Sequence, residues 1–448
     1  MPSVRRRSDV ASIRLLFVTV LLLTAAPRMG IKVGPMPIYL IDIFLVLTLI
    51  SSLQIRSRLT HRKPLKGIVM ALMGFVVVSE FYGIAASGRP LNPIYEMIRM
   101  LLAMSLFFSV GRIVRSEKDV LAVIKAMMLG AVVTASLMIM TSVPFTRGIA
   151  TSYVFSWSFL EPAAETTLRI YSDTDDPMRG RSLVGVSILS GAFLNIGWPM
   201  AALLYQWRGR VQQVWKKGAL ISMLLTPIGI VMSYSRGAVL GLFFVVMGAL
   251  LLGAEQARRG ILIGAIGAVA LFGFVGWDSE LFFFERLENR TQAMLENPYQ
   301  DERETARLFA YVDPFFHLQQ HPEFLIFGRG QTYGRYGIAD HAVFAKAYVA
   351  YGMMAAFLYM FLVVRAFSFL WGRAVQQVGR DPFARRFAQT LLVSMLGMLP
   401  WLTFGHAAVS SPRGAMMLFL VLGLVASLRN FELGKTVVPK SRFDVNAP

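Results

Sequence analysis

The stretch ALISMLLTPIGIVMSYSRGAVLGLFFVVMGALLLGA, residues 219–254, contains two apolar runs separated by the short polar turn SYSRG. Each run approaches the length that an α-helix needs to cross the hydrocarbon core of a bilayer, which is about 30 Å thick. Two such runs joined by so short a turn predict antiparallel membrane helices at 218–233 and 237–254. The stretch therefore predicts an all-α, polytopic membrane fold.

The rest of the chain repeats this pattern. Of the 448 residues, 55% are hydrophobic, and the mean hydropathy is +0.56. We expect about twelve transmembrane helices in total. The other ten are predicted at 12–27, 36–53, 67–87, 94–111, 119–143, 183–205, 260–277, 343–370, 387–405 and 414–430. The chain has no cysteine, which excludes disulfides, thiolate metal sites and cysteine nucleophiles.

The basic residues indicate the orientation. A net charge of +19 would suit a nucleic-acid-binding protein only if the bases were clustered on one soluble face, and here they are spread between hydrophobic runs, so no nucleic acid is expected. Basic residues precede the first helix and then occur in every second loop, as in RSRLTHRKPLK and WRGRVQQVWKK. Because cytoplasmic loops carry the excess of Lys and Arg, both termini are predicted to be cytoplasmic. We expect the first helix to be a retained anchor.

The two long segments on the opposite side hold most of the acidic residues. They are residues 144–182 and residues 278–341, the latter between helices 9 and 10. The second is expected to be partly helical, because TARLFAYVDPFFHLQQ has apolar residues at helical spacing. Loops of this length are usually functional or disordered. We predict one integral-membrane domain, residues 1–448, with the 278–341 loop as an external cap over the active site.

Arg236 lies in the short external turn, against the charge rule. An arginine at this depth can simply extend its guanidinium to the interface. Alternatively, Gly237 permits close approach of a ligand, while the start of the next helix offers free N–H groups and a positive dipole end. Together with a planar guanidinium, these groups would suit a phosphate.

Several motifs resemble the bacterial O-antigen polymerase/ligase family, across roughly residues 183–370. They are YSRGAVLGL with Arg236, then Arg307, then HPEFLIFGRG with Pro322, Gly328 and Gly330, and finally DHAVFAKAYVAYGMMA with His341 and Gly352. Their order, spacing and shared external side carry the resemblance. Ala342 and Ala355 depart from residues usual in the ligase branch, which favours a repeat-unit polymerase over an O-antigen ligase.

The resemblance implies a metal-independent glycosyltransferase of the bacterial inner membrane that needs no cofactor and acts at the periplasmic face. Its donor would be an undecaprenyl-diphosphate-linked glycan, and its acceptor a lipid-linked chain or a lipid A core, in O-antigen or exopolysaccharide biosynthesis. Arg236 and Arg307 would bind the diphosphate, with Arg303 and Lys346 as further candidates. His341 would be the general base. A chain-length regulator or a flippase would be a partner.

Other interpretations of these residues remain open. His341 beside Asp340 could be a helix cap, and an arginine in a charged loop is usually solvated or paired. The acidic residues Asp173, Asp175 and Asp176 could bind a divalent metal, although a solvated acidic loop is the simpler interpretation. His317 and His321 lack a third zinc ligand.

A transporter or a lipid-linked glycan flippase is the alternative from another class of protein. About twelve helices with charged residues inside the membrane are also typical of secondary carriers. Such charges are costly, so they pair or line a cavity; Arg99 could pair with Glu96 one turn away. The other intramembrane charges are Asp42, Glu80, Lys125, Lys346 and Arg365.

Overall fold

The structure is a computed structural model. It describes residues 7–26, 29–33, 36–55, 65–87, 91–143, 145–146, 148–150, 182, 187–207, 211–233, 235–252, 262, 266, 321–330, 343–375, 382–404 and 411–436. Most of the two long segments predicted to be external, and most of the helix predicted at 260–277, lies outside these residues.

The described residues form a helical bundle with one β-hairpin. The α-helices are α1 (Arg7–Ala25), α2 (Leu40–Gln54), α3 (Lys66–Ser87), α4 (Leu91–Ile113), α5 (Glu117–Ser142), α6 (Ser187–Gln206), α7 (Gln213–Met232), α8 (Arg236–Leu251), α9 (Val343–Val375), α10 (Pro382–Phe404) and α11 (Pro412–Thr436). They occupy eleven of the twelve predicted positions. Six of them, α3, α4, α5, α7, α9 and α11, are long and apolar enough to cross a membrane. The chain is therefore a multi-pass, predominantly helical membrane protein.

The start of the second helix was predicted wrongly. Residues 36–39 belong to a strand, β2 (Met36–Tyr39), which pairs antiparallel with β1 (Gly30–Val33), and α2 begins only at Leu40. Ile31 faces Ile38 across the pair. The apolar character of this stretch predicted a helix, but a short apolar run does not distinguish a strand from a helix.

Helix α11 lies at the centre of the bundle. In its 18-residue apolar stretch, 89% of the residues are buried inside the protein. It packs closely on α4, where a Cβ added to Gly423 would lie 2.7 Å from the Cβ of Val110. A small residue at such a contact lets two membrane helices approach. Helices α1, α4, α9 and α10 contact α11, and most of its apolar side chains are buried.

Polar side chains tie neighbouring helix ends together. Near the start of α11, Arg413 donates from Nε to the carbonyl oxygen of Leu23 (3.0 Å) at the end of α1. At the other end of α11, Asn430 donates to the carbonyl oxygen of Val114 (2.8 Å), just after α4. Trp207, after α6, donates to Glu117 at the start of α5 (2.6 Å). These pairings agree with the alternation of loops that the basic residues predicted.

Candidate functional site

Arg236 begins α8 after a tight turn, as predicted. Helix α7 ends at Met232, and Ser235 is the N-cap of α8, its Oγ accepting a hydrogen bond from the backbone N–H of Ala238 (3.4 Å). The N–H of Ser235 in turn donates to Oγ of Ser233 (3.1 Å). The side chain of Arg236 lies outside the described residues. Its backbone, however, is at a helix N-terminus, where an anion is favoured.

The described residues leave open space beside the Cα atom of Gly237. The nearest heavy atom to a Cβ added there is the carbonyl oxygen of Pro400, at 4.0 Å. This contact also shows that the start of α8 and the end of α10 lie at the same end of the bundle. The expectation that Gly237 permits close approach of a ligand stays a prediction, and no described protein group fills that space.

The segment 321–330 (HPEFLIFGRG) fits into a break in α9. The backbone of Gly352 is non-helical (φ 85°, ψ 172°), and the gap is filled by residues 325–329. Met353 N–H donates to the carbonyl oxygen of Leu325 (2.9 Å), and Arg329 N–H donates to that of Val349 (2.9 Å). Backbone groups inside a membrane need such partners, because no water is available there. We call residues 321–330 the loop anchor.

Glycine is required at two close contacts between the anchor and α9. Gly328 and Gly352 both have positive φ (70° and 85°), a region that other residues rarely adopt. A Cβ on Gly352 would lie 1.9 Å from the carbonyl oxygen of Ile326, and one on Gly328 would lie 2.5 Å from that of Ala350. The glycines that carried the family resemblance are therefore brought together, and the spacing between them serves this packing.

The anchor also packs on α3. A Cβ on Gly83 would lie 2.4 Å from the carbonyl oxygen of Arg329, and one on Gly330 would lie 2.8 Å from Oε2 of Glu80. Ser79 donates to the carbonyl oxygen of Tyr351 at the break (3.3 Å). Three separate segments of the chain, namely α3, the anchor and α9, thus meet in one buried polar junction.

Two buried charged residues belong to this junction. Glu80 is 1% exposed and Arg329 is 7% exposed, with the guanidinium carbon of Arg329 4.4 Å from the centre of the Phe324 ring. Glu80 was predicted as an intramembrane charge, but Arg329 was missed. The sequence did contain a signal for Arg329. It lies between Gly328 and Gly330 of the motif, and a turn there needs no charged side chain.

Lys346, near the start of α9, is buried and 5% exposed. It lies one turn before Val349 and Ala350, which contact the anchor. The other predicted site residues, Arg303, Arg307 and His341, lie outside the described residues. The sequence places Arg307 before the anchor and His341 between the anchor and α9.

Arg99 pairs across helices with Asp42. Its Nε lies 3.1 Å from Oδ2 of Asp42, and its guanidinium carbon lies 4.5 Å from the centre of the Tyr39 ring and 5.4 Å from that of Tyr95. The expected partner within α4 was Glu96. The strand before α2 places Tyr39 and Asp42 beside α4, and this placement decides the pairing.

The alternative metal ligands considered from the sequence lie mostly outside the described residues. His321 is partly exposed, and its Nδ1 lies 3.1 Å from the carboxylate of Glu323. The backbone N–H of Glu323, together with this histidine, lowers the pKa of that carboxyl group. In the described part of the chain no three His, Asp or Glu side chains cluster. His317 and the acidic residues 173–176 lie outside it.

Comparison with known proteins finds a family that resembles part of the chain. The chain matches no curated protein, but residues 221–355 match the model of the O-antigen ligase family. The matched range begins in α7, includes the Arg236 turn and the loop anchor, and ends in α9 just beyond Gly352. The family contains O-antigen ligases and polymerases, which act on a lipid-linked glycan and an acceptor. The match agrees with the resemblance seen in the motifs: residues 221–355 of the chain are similar to the O-antigen ligase family.

Proposed function

We propose that this protein is an inner-membrane glycosyltransferase whose active site faces the periplasm. It transfers a glycan from an undecaprenyl-diphosphate-linked donor to a hydroxyl group of an acceptor sugar. One observation carries the proposal: the family match spans the Arg236 turn and the loop anchor, which lie at the same end of the bundle. In the proposed site, Arg307, which precedes the anchor in the sequence, and His341, which follows it, act together with Arg236.

Contacts between helices indicate which ends of α8, α9 and α10 lie at the same end of the bundle. The start of α8 lies beside the end of α10, as the Gly237 to Pro400 contact shows. The start of α10 lies beside the end of α9, since Gln389 donates to the carbonyl oxygen of Ala374 (3.4 Å). The first third of α9, with the anchor, is therefore at the Arg236 end. This placement supports a common site for Arg236 and the residues next to the anchor.

The chemistry explains the proposed roles. The acceptor oxygen attacks the anomeric carbon, the bond from that carbon to the diphosphate oxygen breaks, and the diphosphate leaves with the electron pair. Arg236 and Arg307 stabilise the negative charge that develops on the diphosphate. His341 accepts the proton of the attacking hydroxyl group, because its ordinary pKa of about 6.5 is near the working pH. Lys346 and Arg303 are further cations for the diphosphate.

We propose a repeat-unit polymerase, with an O-antigen ligase as the second candidate. The preference rests on Ala342 and Ala355, which replace residues usual in the ligase branch. Ala355 is fully buried in α9, so a larger polar residue there would require different packing. The two enzymes differ in the acceptor: a polymerase extends a lipid-linked chain, whereas a ligase transfers the chain to a lipid A core.

The break in α9 is the feature that a transporter would share. Carriers bind their substrates at broken helices, where exposed backbone groups coordinate the cargo. Here the backbone groups on either side of Gly352 bond to Leu325 and Arg329 of the anchor. The break is thus used to hold a loop, which favours an enzyme with a fixed cap.

Gene deletion with analysis of the surface polysaccharide on a gel tests the proposal. A polymerase mutant should show core carrying a single repeat unit. Lipid-linked polymer accumulating beside bare core would instead indicate a ligase. An unchanged profile would contradict both and favour transport or another glycan.

A further inference from the structure

The first turn of α8 is held from α6 by Asn195. This side chain is fully buried, and its Nδ2 donates to the carbonyl oxygen of Ala238 at 2.8 Å. The backbone N–H of Ala238 donates to the carbonyl oxygen of Ser235 (3.0 Å) and to the Oγ of Ser235 (3.4 Å). Ala238 is therefore fixed at both of its backbone polar groups. It lies two residues after Arg236.

Close contacts between helices surround this hydrogen bond. A Cβ on Gly191 of α6 would lie 2.4 Å from the Cβ of Ala238. A Cβ on Gly241 of α8 would lie 2.4 Å from the carbonyl oxygen of Gly397 in α10 and 2.5 Å from Nδ2 of Asn195. Helices α6, α8 and α10 therefore approach one another at a layer without bulky side chains, and α8 has little room to rotate or slide.

The turn before α8 is restrained as well. Oγ of Ser142, at the end of α5, donates to the carbonyl oxygen of Met232 (3.3 Å), the last residue of α7. Oγ of Ser233 accepts from Ser235 (3.1 Å) and donates to the carbonyl oxygen of Ile230 (2.6 Å). The backbone of Arg236 is thus held on the α7 side by the turn and on the α6 side by Asn195.

Asn195 is not the residue that packing alone would favour. Its Oδ1 is buried and has no hydrogen-bond partner among the described residues. A buried polar atom without a partner lowers stability, whereas an apolar side chain of the same shape can be neutral or stabilising. An asparagine with one unsatisfied oxygen in a helix interface therefore needs another reason to be there.

We propose that Asn195 is a positioning residue for Arg236: its hydrogen bond to Ala238 sets the rotation of the first turn of α8, in which Arg236 is the first residue. This inference rests on the proposed function, in which Arg236 binds the diphosphate of the donor. A charged group that stabilises a transition state needs a rigid support, because a displacement of about 1 Å can reduce the rate by about 10²-fold.

The test compares Asn195→Leu with Ser394→Ala in the purified full-length protein. Leucine has nearly the shape of asparagine but cannot donate to Ala238. Ser394 is the matched control, because its Oγ makes another buried bond between α10 and α6, to the carbonyl oxygen of Ile196 (3.2 Å). Transfer is measured with a lipid-linked donor over a range of donor and of acceptor concentrations, and thermal stability is measured in detergent.

We expect Asn195→Leu to lower kcat/KM for the donor by about 10- to 100-fold, with thermal stability equal to or above that of the wild type and KM for the acceptor unchanged. Ser394→Ala should keep the wild-type kinetics. If leucine is too large beside Gly241, Asn195→Ala removes the same donor without adding bulk, and the same loss for the donor is expected.

The double variant Asn195→Leu/Arg236→Ala separates this inference from the proposed function. If Asn195 acts through Arg236, the double variant should be as impaired as Arg236→Ala alone. Losses that multiply, or wild-type kinetics in both stable Asn195 variants, would overturn the positioning role and leave the role of Arg236 intact. Wild-type activity of Arg236→Ala would instead refute the diphosphate role of Arg236 in the proposed function.

Discussion

Replacing Gly352 by alanine should detach the loop anchor from α9. The backbone at this position has φ 85° and ψ 172°, a combination found almost only for glycine. The new Cβ would lie 1.9 Å from the carbonyl oxygen of Ile326, which is backbone and cannot move away as a flexible side chain would. Either the anchor leaves the break or the helix changes its path.

The magnitude follows from these two effects. A non-glycine residue in this region of φ and ψ costs about 1–3 kcal/mol, and forcing extra volume into a packed site costs about 1–3 kcal/mol more. Keeping the anchor in place would therefore cost on the order of 2–6 kcal/mol. Releasing it forfeits the backbone bonds of Met353 and Arg329, each worth about 0.5–1.5 kcal/mol, together with the packing of the anchor. Local release of the anchor is therefore a realistic alternative to unfolding of the whole protein.

The assay measures transfer activity, membrane level and hydrogen exchange of the amides of residues 321–330. Gly352→Ala should reduce activity by at least tenfold and increase exchange at Arg329, while the protein is still inserted in the membrane. Gly74→Ala in α3 is the control, because, apart from the adjoining backbone of α3, no atom of the described residues lies within 4 Å of its added Cβ and alanine favours a helix. Normal activity and unchanged exchange in Gly352→Ala would refute the argument that the anchor occupies the break.

Four further outcomes are expected. Reporter fusions after residue 62 should report the cytoplasm and fusions near residue 160 the exterior; the inverse result would put Arg236 on the wrong side. Activity should persist in excess EDTA, whereas loss that Mg²⁺ restores would make residues 173–176 the better site. His341→Ala should lower turnover by about 10²- to 10⁴-fold while donor binding is largely kept, and near-normal product from stable protein would remove the general-base role. Arg236→Lys should restore only part of the donor binding lost in Arg236→Ala, because an ammonium lacks the bidentate geometry of guanidinium; equal activity of all three proteins would leave Arg236 as an interfacial residue.

Much of the fold was predictable because the signal is local. A run of apolar residues long enough to cross a bilayer predicts a helix wherever it occurs, and the basic loops predict which helix ends lie together. The hairpin at residues 30–39 was the exception, since its strands are also apolar and too short to show a period. The motif glycines 328, 330 and 352 were found from the sequence, but the sequence did not show that Gly352 breaks a helix.

The sequence by itself determined the membrane class, the approximate helices, the alternation of their ends and the resemblance to the O-antigen ligase family. Only the tertiary structure decided that α11 is mostly buried, that Arg99 pairs with Asp42, that Glu80 meets the loop anchor at Gly330, and that Asn195 bonds to the first turn of α8. The physical reason is distance along the chain. Helix formation depends on neighbours within a few residues, whereas Asn195 and Ala238, or Glu80 and Gly330, become neighbours only when separate helices pack.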